Sequence, residues 1–236
     1  MEMKAITDRL TRETAALDFT GTKAAFVYNP LEYARKPYDL YLERYGAAPK
    51  KAVFLGMNPG PFGMAQTGIP FGEVSLVRDW LGICADVSRP PREHPKRPVS
   101  GFDCRKSEVS GRRLWMWAKN RFGSPEIFFR DVFVLNYCPL VFMEESGRNL
   151  TPDKLPAPVR EELTRICDRA LRDSIAFFKP RFCVGIGAYA KERFDEILHG
   201  TGAQTMLLTH PSPANPKANA GWEKFADALA DEIGLR

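Results

Sequence analysis

The residues that could do chemistry in this chain gather in three places where an apolar run stops. The first place is residues 56–72 (GMNPGPFGMAQTGIPFG). It holds five glycines and three prolines in seventeen positions, which makes a tightly turned, fixed loop. It lacks the Gly-x-x-x-x-Gly-Lys-Ser/Thr pattern of a phosphate loop. Before Gly72 it has no Asp, Glu, Ser or Cys, so the loop offers neither a nucleophile nor a carboxylate base. What it does offer is one amide (Asn58), close backbone approach at Gly60, and two aromatic faces (Phe62 and Phe71). That is a slot for a flat ring beside a positioned water.

The second place is Asn136, at the end of an apolar run that continues into Tyr137-Cys138-Pro139. A carboxamide both donates and accepts, so it can pair with an adjacent N–H and C=O on the edge of a base, although an Asn here could equally be a turn former. The third is His210, in Thr209-His210-Pro211-Ser212-Pro213-Ala214-Asn215-Pro216. It is one of three histidines, its neighbouring prolines hold it rigidly, and Ser212 with nearby amides could grip a phosphate.

The elements that must position these residues are legible from periodicity. Four short apolar runs, Ala52–Gly56, Val132–Asn136, Phe182–Ile186 and Thr205–Thr209, read as strands. None alternates apolar with polar, which predicts a parallel sheet covered on both faces. Helical patterns fill 3–17, 31–45, 107–121, Pro158–Phe178, 188–198 and 219–234. Strands alternating with helices predict a three-layer α/β/α fold around a central four-stranded, mainly parallel sheet. Residues 1–236 are expected to form one domain. In such folds ligands sit beyond the carboxyl ends of the strands, where Asn58, Asn136 and His210 all fall.

Composition narrows the function classes. The chain is 44% apolar and 27% charged, with no apolar run long enough to span a membrane and no apolar core of a signal peptide at its start. Five cysteines cannot all pair, which points to a reducing compartment. No Cys-x-x-Cys and no closely spaced His pair occurs, so neither a metal nor another cofactor is expected. The net charge of +5 is unevenly spread: Asp86 to Arg121 alone holds ten Lys/Arg against four Asp/Glu. Four prolines stiffen its first part, at positions 90, 91, 95 and 98. A solvated basic loop is one reading of this segment, and a surface for a polyanion is the other.

Residues 56–72 and 210–223 (HPSPANPKANAGWE) resemble the two signature motifs of the single-strand-selective monofunctional uracil-DNA glycosylases, a branch of the uracil-DNA glycosylase superfamily. The similarity extends through Phe54–Trp80, His94–Gly111, Phe133–Arg148 and His210–Glu223. The resemblance implies a uracil-DNA glycosylase-like fold, a water-positioning Asn58 and a catalytic His210. It further implies that Asn136 reads uracil, that Phe71 stacks on it, and that Met57 and Gly60, with Phe62, belong to the pocket. Ser146–Arg160 matches a DNA-contacting segment, which brings in Ser146, Gly147, Arg148 and Asn149. The loop Ser212, Pro213, Ala214 to Lys217 matches the intercalating loop. Family members often carry Arg where this chain has Ala214. Arg would plug the gap left by a flipped nucleotide and Ala cannot, which implies weaker wedging unless Lys217 substitutes.

The expected activity is extrusion of uracil from DNA and hydrolysis of its N-glycosidic bond, leaving an abasic site during base excision repair. The resemblance extends that to 5-hydroxymethyluracil and related oxidised or deaminated bases. The absence of Lys from both motifs before Lys217 argues against a lyase. The expected partner is DNA, single- or double-stranded, met by a monomer with no membrane contact. The expected location is cytoplasmic, with the nucleoid in a bacterium or the nucleus in a eukaryote. Two alternatives are a non-catalytic single-stranded DNA-binding module and a hydrolase of free nucleosides or nucleotides.

Overall fold

A computed structural model describes residues 2–236. Among these residues seven strands form two sheets. The central one is built from β2 (Ala52–Gly56), β3 (Val132–Asn136), β6 (Phe182–Ile186) and β7 (Gln204–Leu208), all parallel, in the order β3-β2-β6-β7. The other is a small antiparallel sheet of β1 (Phe26–Tyr28), β4 (Val141–Met143) and β5 (Asn149–Leu150), in the order β1-β4-β5. The helices are α1 (Met3–Ala15), α2 (Pro30–Tyr33), α3 (Arg35–Tyr45), α4 (Met64–Thr67), α5 (Val74–Asp79) and α6 (Val109–Phe122). They continue with α7 (Pro125–Asp131), α8 (Ala157–Phe178), α9 (Ala188–Ile197), α10 (Pro216–Asn219) and α11 (Glu223–Glu232).

The central sheet is covered on both faces by aromatic packing. Side chains alternate along a strand, and the register Val53↔Phe133 and Phe54↔Val134 sends Phe133 and Phe54 to opposite faces. Phe133 packs on Tyr41 of α3 and Phe178 of α8 at centroid distances of 4.9 and 4.6 Å. On the other face Phe54 lies parallel to Trp117 of α6, which in turn meets Trp222 edge-on before α11. Helix α9 joins the Phe133 face, where a Cβ on Gly185 would fall 2.2 Å from the Lys191 backbone nitrogen, so only glycine lets this helix sit so close. No described helix is long and apolar enough to cross a membrane.

Three strands keep their sequence-predicted limits, and the fourth begins and ends one residue earlier. The expectation that both faces of every strand are covered fails at this last one. Strand β7 is the sheet edge, Gln204 is exposed, and Leu207 keeps 56% of its surface. It has a partner on one side only, so the apolar run marks the strand without implying burial. Helix 31–45 is interrupted at Ala34, and 219–234 shortens to α11, with the short α10 just before it.

Strand order and register bring the chemistry together. Gly56 is the register partner of Asn136, and Ile186 that of Leu208. All four strands end on one side of the sheet, so Asn136, the loop after Gly56, Gly187 and His210 line up there. Neighbouring strands lie about 4.8 Å apart, so the ends of adjacent strands are about one small ring's width from each other.

Candidate active site

At that edge lies a cavity of about 380 Å³ lined by Met57, Asn58, Gly60, Phe71, Asn136 and His210, and by Asn149 and Ser212 from the sets expected to touch DNA. The two carboxamides and the imidazole, separated by up to 152 residues, thus face one space.

Each side chain is held in a defined pose. The Asn58 Nδ2 donates to the Leu140 carbonyl at 3.2 Å and to Pro59 O at 3.4 Å. Its nitrogen is spent on carbonyls, so its oxygen is the half that can accept a hydrogen bond from a water. His210 Nδ1 accepts from the Ser212 backbone N–H at 3.1 Å, which assigns the ring proton to Nε2 and makes that atom a donor. Burial pushes the His210 pKa below its ordinary value, so the ring is neutral at neutral pH. Gly187, at φ +93°, makes room for it: a Cβ there would come within 3.2 Å of the imidazole.

Phe71 adopts φ +55°, a left-handed conformation costly for a residue with a Cβ. Its carbonyl accepts from the Trp115 indole N–H at 3.0 Å and the Glu73 backbone N–H at 2.8 Å. A Cβ on Gly111 would fall 1.9 Å from the same oxygen. Helix α6 therefore clamps the strained backbone, and the ring turns toward the cavity 6.4 Å from His210. On the other side a Cβ on Gly56 would lie 2.4 Å from Asn136 Oδ1 and 2.6 Å from the Phe71 ring. Glycine at 56 is what lets amide and ring sit side by side.

Phe62 departs from expectation. It is absent from the cavity lining, and its ring lies under two cations, the Arg97 guanidinium at 5.1 Å and the Lys106 ammonium at 4.7 Å. Cation–π attraction to the basic segment holds it outside the cavity. Ser146, Arg148, Pro213, Ala214 and Lys217 are exposed, while Gly147 is buried against the His94 ring.

The basic segment is partly spent within the protein. Arg113 donates to Pro211 O and Asn219 Oδ1 at 2.9 Å each, clamping the loop after His210. Arg121 pairs with Asp227 and Asp231. Arg89, Arg92, Lys96, Arg105, Lys106 and Arg112 remain exposed. His94, fully buried, faces Glu145 O through Nε2 at 3.0 Å and ties this segment to the turn between β4 and β5.

Sequence reasoning missed Met64, Glu108, Ser110 and Thr151 in the lining. Glu108 brings a carboxyl that the 56–72 loop lacks. It caps α6, accepting from the Ser110 and Gly111 backbone N–H groups at 3.2 and 2.6 Å, and burial raises its pKa. An acidic residue opening a helix was readable as a cap, but nothing local placed it at the cavity. Among the described residues no cluster of His, Cys, Asp and Glu could hold a metal ion.

The chain is similar to known proteins along most of its length. The family model for the uracil DNA glycosylase superfamily matches residues 43–231. The chain is 50% identical over 229 residues to the single-strand selective monofunctional uracil DNA glycosylase of Bos taurus, covering 96% of this chain and 84% of the bovine one. The rat protein of that name is also 50% identical, over 96% and 82%. Among solved structures, wild-type SMUG2 of Pedobacter heparinus superposes with a TM-score of 0.67 over 97% of both chains at 17% identity, a likeness of fold.

Proposed function

The chain belongs to the uracil-DNA glycosylase superfamily, and from that premise we propose that it removes uracil from DNA by hydrolysing the N-glycosidic bond and leaves an abasic site. The observation that carries this reading is the single cavity shared by Asn58, Phe71, Asn136 and His210.

A base inside a duplex is out of reach, so the nucleotide is flipped into the cavity at a cost of a few kcal/mol, less from a single strand. The flipped ring stacks on Phe71. Asn136 Oδ1 accepts from N3–H and its Nδ2 donates to O4. As the bond breaks, positive charge grows on the sugar and negative charge on the base, chiefly at O2. The His210 Nε2–H donates there; one such aligned donor contributes about 3–4 kcal/mol. The neutral imidazole donates without surrendering a proton, which suits a ring whose pKa is lowered by burial. Asn58 Oδ1 orients the water that adds to the sugar carbon. It is no base, so it contributes placement rather than proton abstraction.

DNA meets the rim formed by Ser146 to Asn149, the loop Ser212–Lys217 and the exposed cations of the basic segment, with one monomer acting on single- and double-stranded substrate. Ala214 is exposed and too short to fill the gap of a flipped nucleotide, so wedging into duplex is shallow. The Gly60 side of the pocket accepts small C5 substituents, which extends the substrates to 5-hydroxymethyluracil. Incubation with a uracil-containing oligonucleotide, followed by alkaline cleavage, tests the activity. Strand scission only after alkali is expected. No scission would leave a DNA-binding module, and scission without alkali would indicate a lyase.

A further inference from the structure

We infer that Met64 decides which way round the Asn136 carboxamide faces, and so helps to select uracil over cytosine. The inference rests on the base-reading role proposed for Asn136.

Met64 opens α4, is 3% exposed, and lines the cavity beside Asn136. The Asn136 Nδ2 donates to the Met64 sulfur at 3.2 Å. A thioether has lone pairs and no proton, so it accepts and never donates. With the amide reversed, Oδ1 would face that sulfur lone pair to lone pair with no hydrogen between them. The partner therefore distinguishes the two ends of a carboxamide that are otherwise nearly equal in shape. Oδ1 is left on the Gly56 side, and among the described residues no donor reaches it. Its accepting capacity is open to a ligand, as is the second N–H of Nδ2. An amide so fixed matches an N–H beside a C=O, the N3–H and O4 of uracil. Cytosine offers an acceptor and then a donor at those positions and requires the reversed amide.

Two features keep this orientation from relaxing. Behind Asn136 and Met64 lies a space of about 30 Å³ lined mostly by apolar side chains, where the Ser174 hydroxyl is already spent on Ala170 O. Helix α4 is held by fully buried Gln66, which donates to Pro61 O and Pro98 O at 2.9 and 3.1 Å and accepts from the Ser100 N–H at 2.8 Å. Met64 is therefore a positioning residue with a consequence for specificity. Its sulfur acts through Asn136.

The test compares cytosine with uracil release from matched oligonucleotides at enzyme excess. Met64→Leu keeps the apolar bulk and removes the acceptor. It is expected to lower uracil release about tenfold and to raise the cytosine-to-uracil ratio about tenfold. Met64→Gln restores an acceptor and is expected to bring uracil release back to within a few-fold of the parent. A cytosine-to-uracil ratio in Met64→Leu equal to the parent's would assign Met64 to packing and overturn the inference. Met64→Ile, equally without a lone pair, supplies the same ratio should the Leu variant have a lowered unfolding midpoint. Asn136→Ala separates the two layers. Undiminished discrimination there refutes base reading by Asn136 itself, whereas lost discrimination there beside an unchanged ratio in Met64→Leu refutes only the part given to Met64.

Discussion

The floor of the cavity and its rim differ in how much room they leave. On the floor, Gly56 and Gly111 sit where any Cβ would collide with Asn136, Phe71 or the Phe71 carbonyl, and Phe71 itself is strained. Around the rim, Arg148, Pro213, Ala214 and Lys217 are exposed and confined by few neighbours. The rim keeps its shape through side-chain-to-backbone bonds. Asn215 Nδ2 donates to His210 O, Asn219 Nδ2 to Pro213 O, and the Arg113 guanidinium to Pro211 O. Close packing leaves no way to relax, so an error on the floor changes geometry. An error on the rim changes affinity, because solvated contacts can be lost one at a time.

The most severe test of that contrast is Gly56→Ala. Its methyl group must displace both the amide and the ring. Uracil release under single turnover is expected to fall at least about 100-fold, the usual consequence of misplacing reacting groups by about an ångström. Activity within tenfold of the parent would mean that the floor has slack. His210→Leu and Asn58→Ala come next, each lowering release by about 10²–10³-fold while binding of a uracil oligonucleotide stays within a few-fold. Full activity in both would end the role assignments.

Arg113→Ala sharpens the comparison within the basic segment. Arg113 is spent on the loop after His210, so kcat/KM is expected to drop about tenfold with the salt slope unchanged. Lys96→Ala and Lys106→Ala should each weaken binding uniformly and reduce the log–log salt slope by about 1. Equal salt behaviour in all three variants would erase the distinction between clamping and DNA-facing cations. The smallest effect concerns pH. The folded His210 takes up a proton less readily than the unfolded one, whose pKa is about 6.5. The unfolded state gains protons first as pH falls, so stability is full above about 6.5 and declines below it. His210→Leu should lose that part of the decline in urea titrations, and identical pH slopes would place the imidazole in water.

How much of this was readable beforehand depended on how local each signal was. Strands β2, β3 and β6 are continuous apolar runs because both faces are buried, so their ends matched residue for residue. The β1-β4-β5 sheet escaped notice because strands of two and three residues carry no period. Phe62 and Phe71 belong to one loop and look alike in sequence. Which of them turns inward was settled by α6 gripping the Phe71 carbonyl and by Arg97 and Lys106 drawing Phe62 away.

The amino-acid order alone therefore determined the four strands of the central sheet, the glycine-punctuated loop, the family and the identity of the polar groups at the strand ends. All of these are written in neighbouring residues. The meeting of Asn58, Asn136 and His210, the arrival of Glu108 and Thr151 beside them, and the facing of the Asn136 amide toward Met64 were decided only by strand order and helix packing. These are contacts between segments distant along the chain, set by which hydrogen-bond partners and which empty volumes the folded molecule leaves, and no short window of sequence contains them.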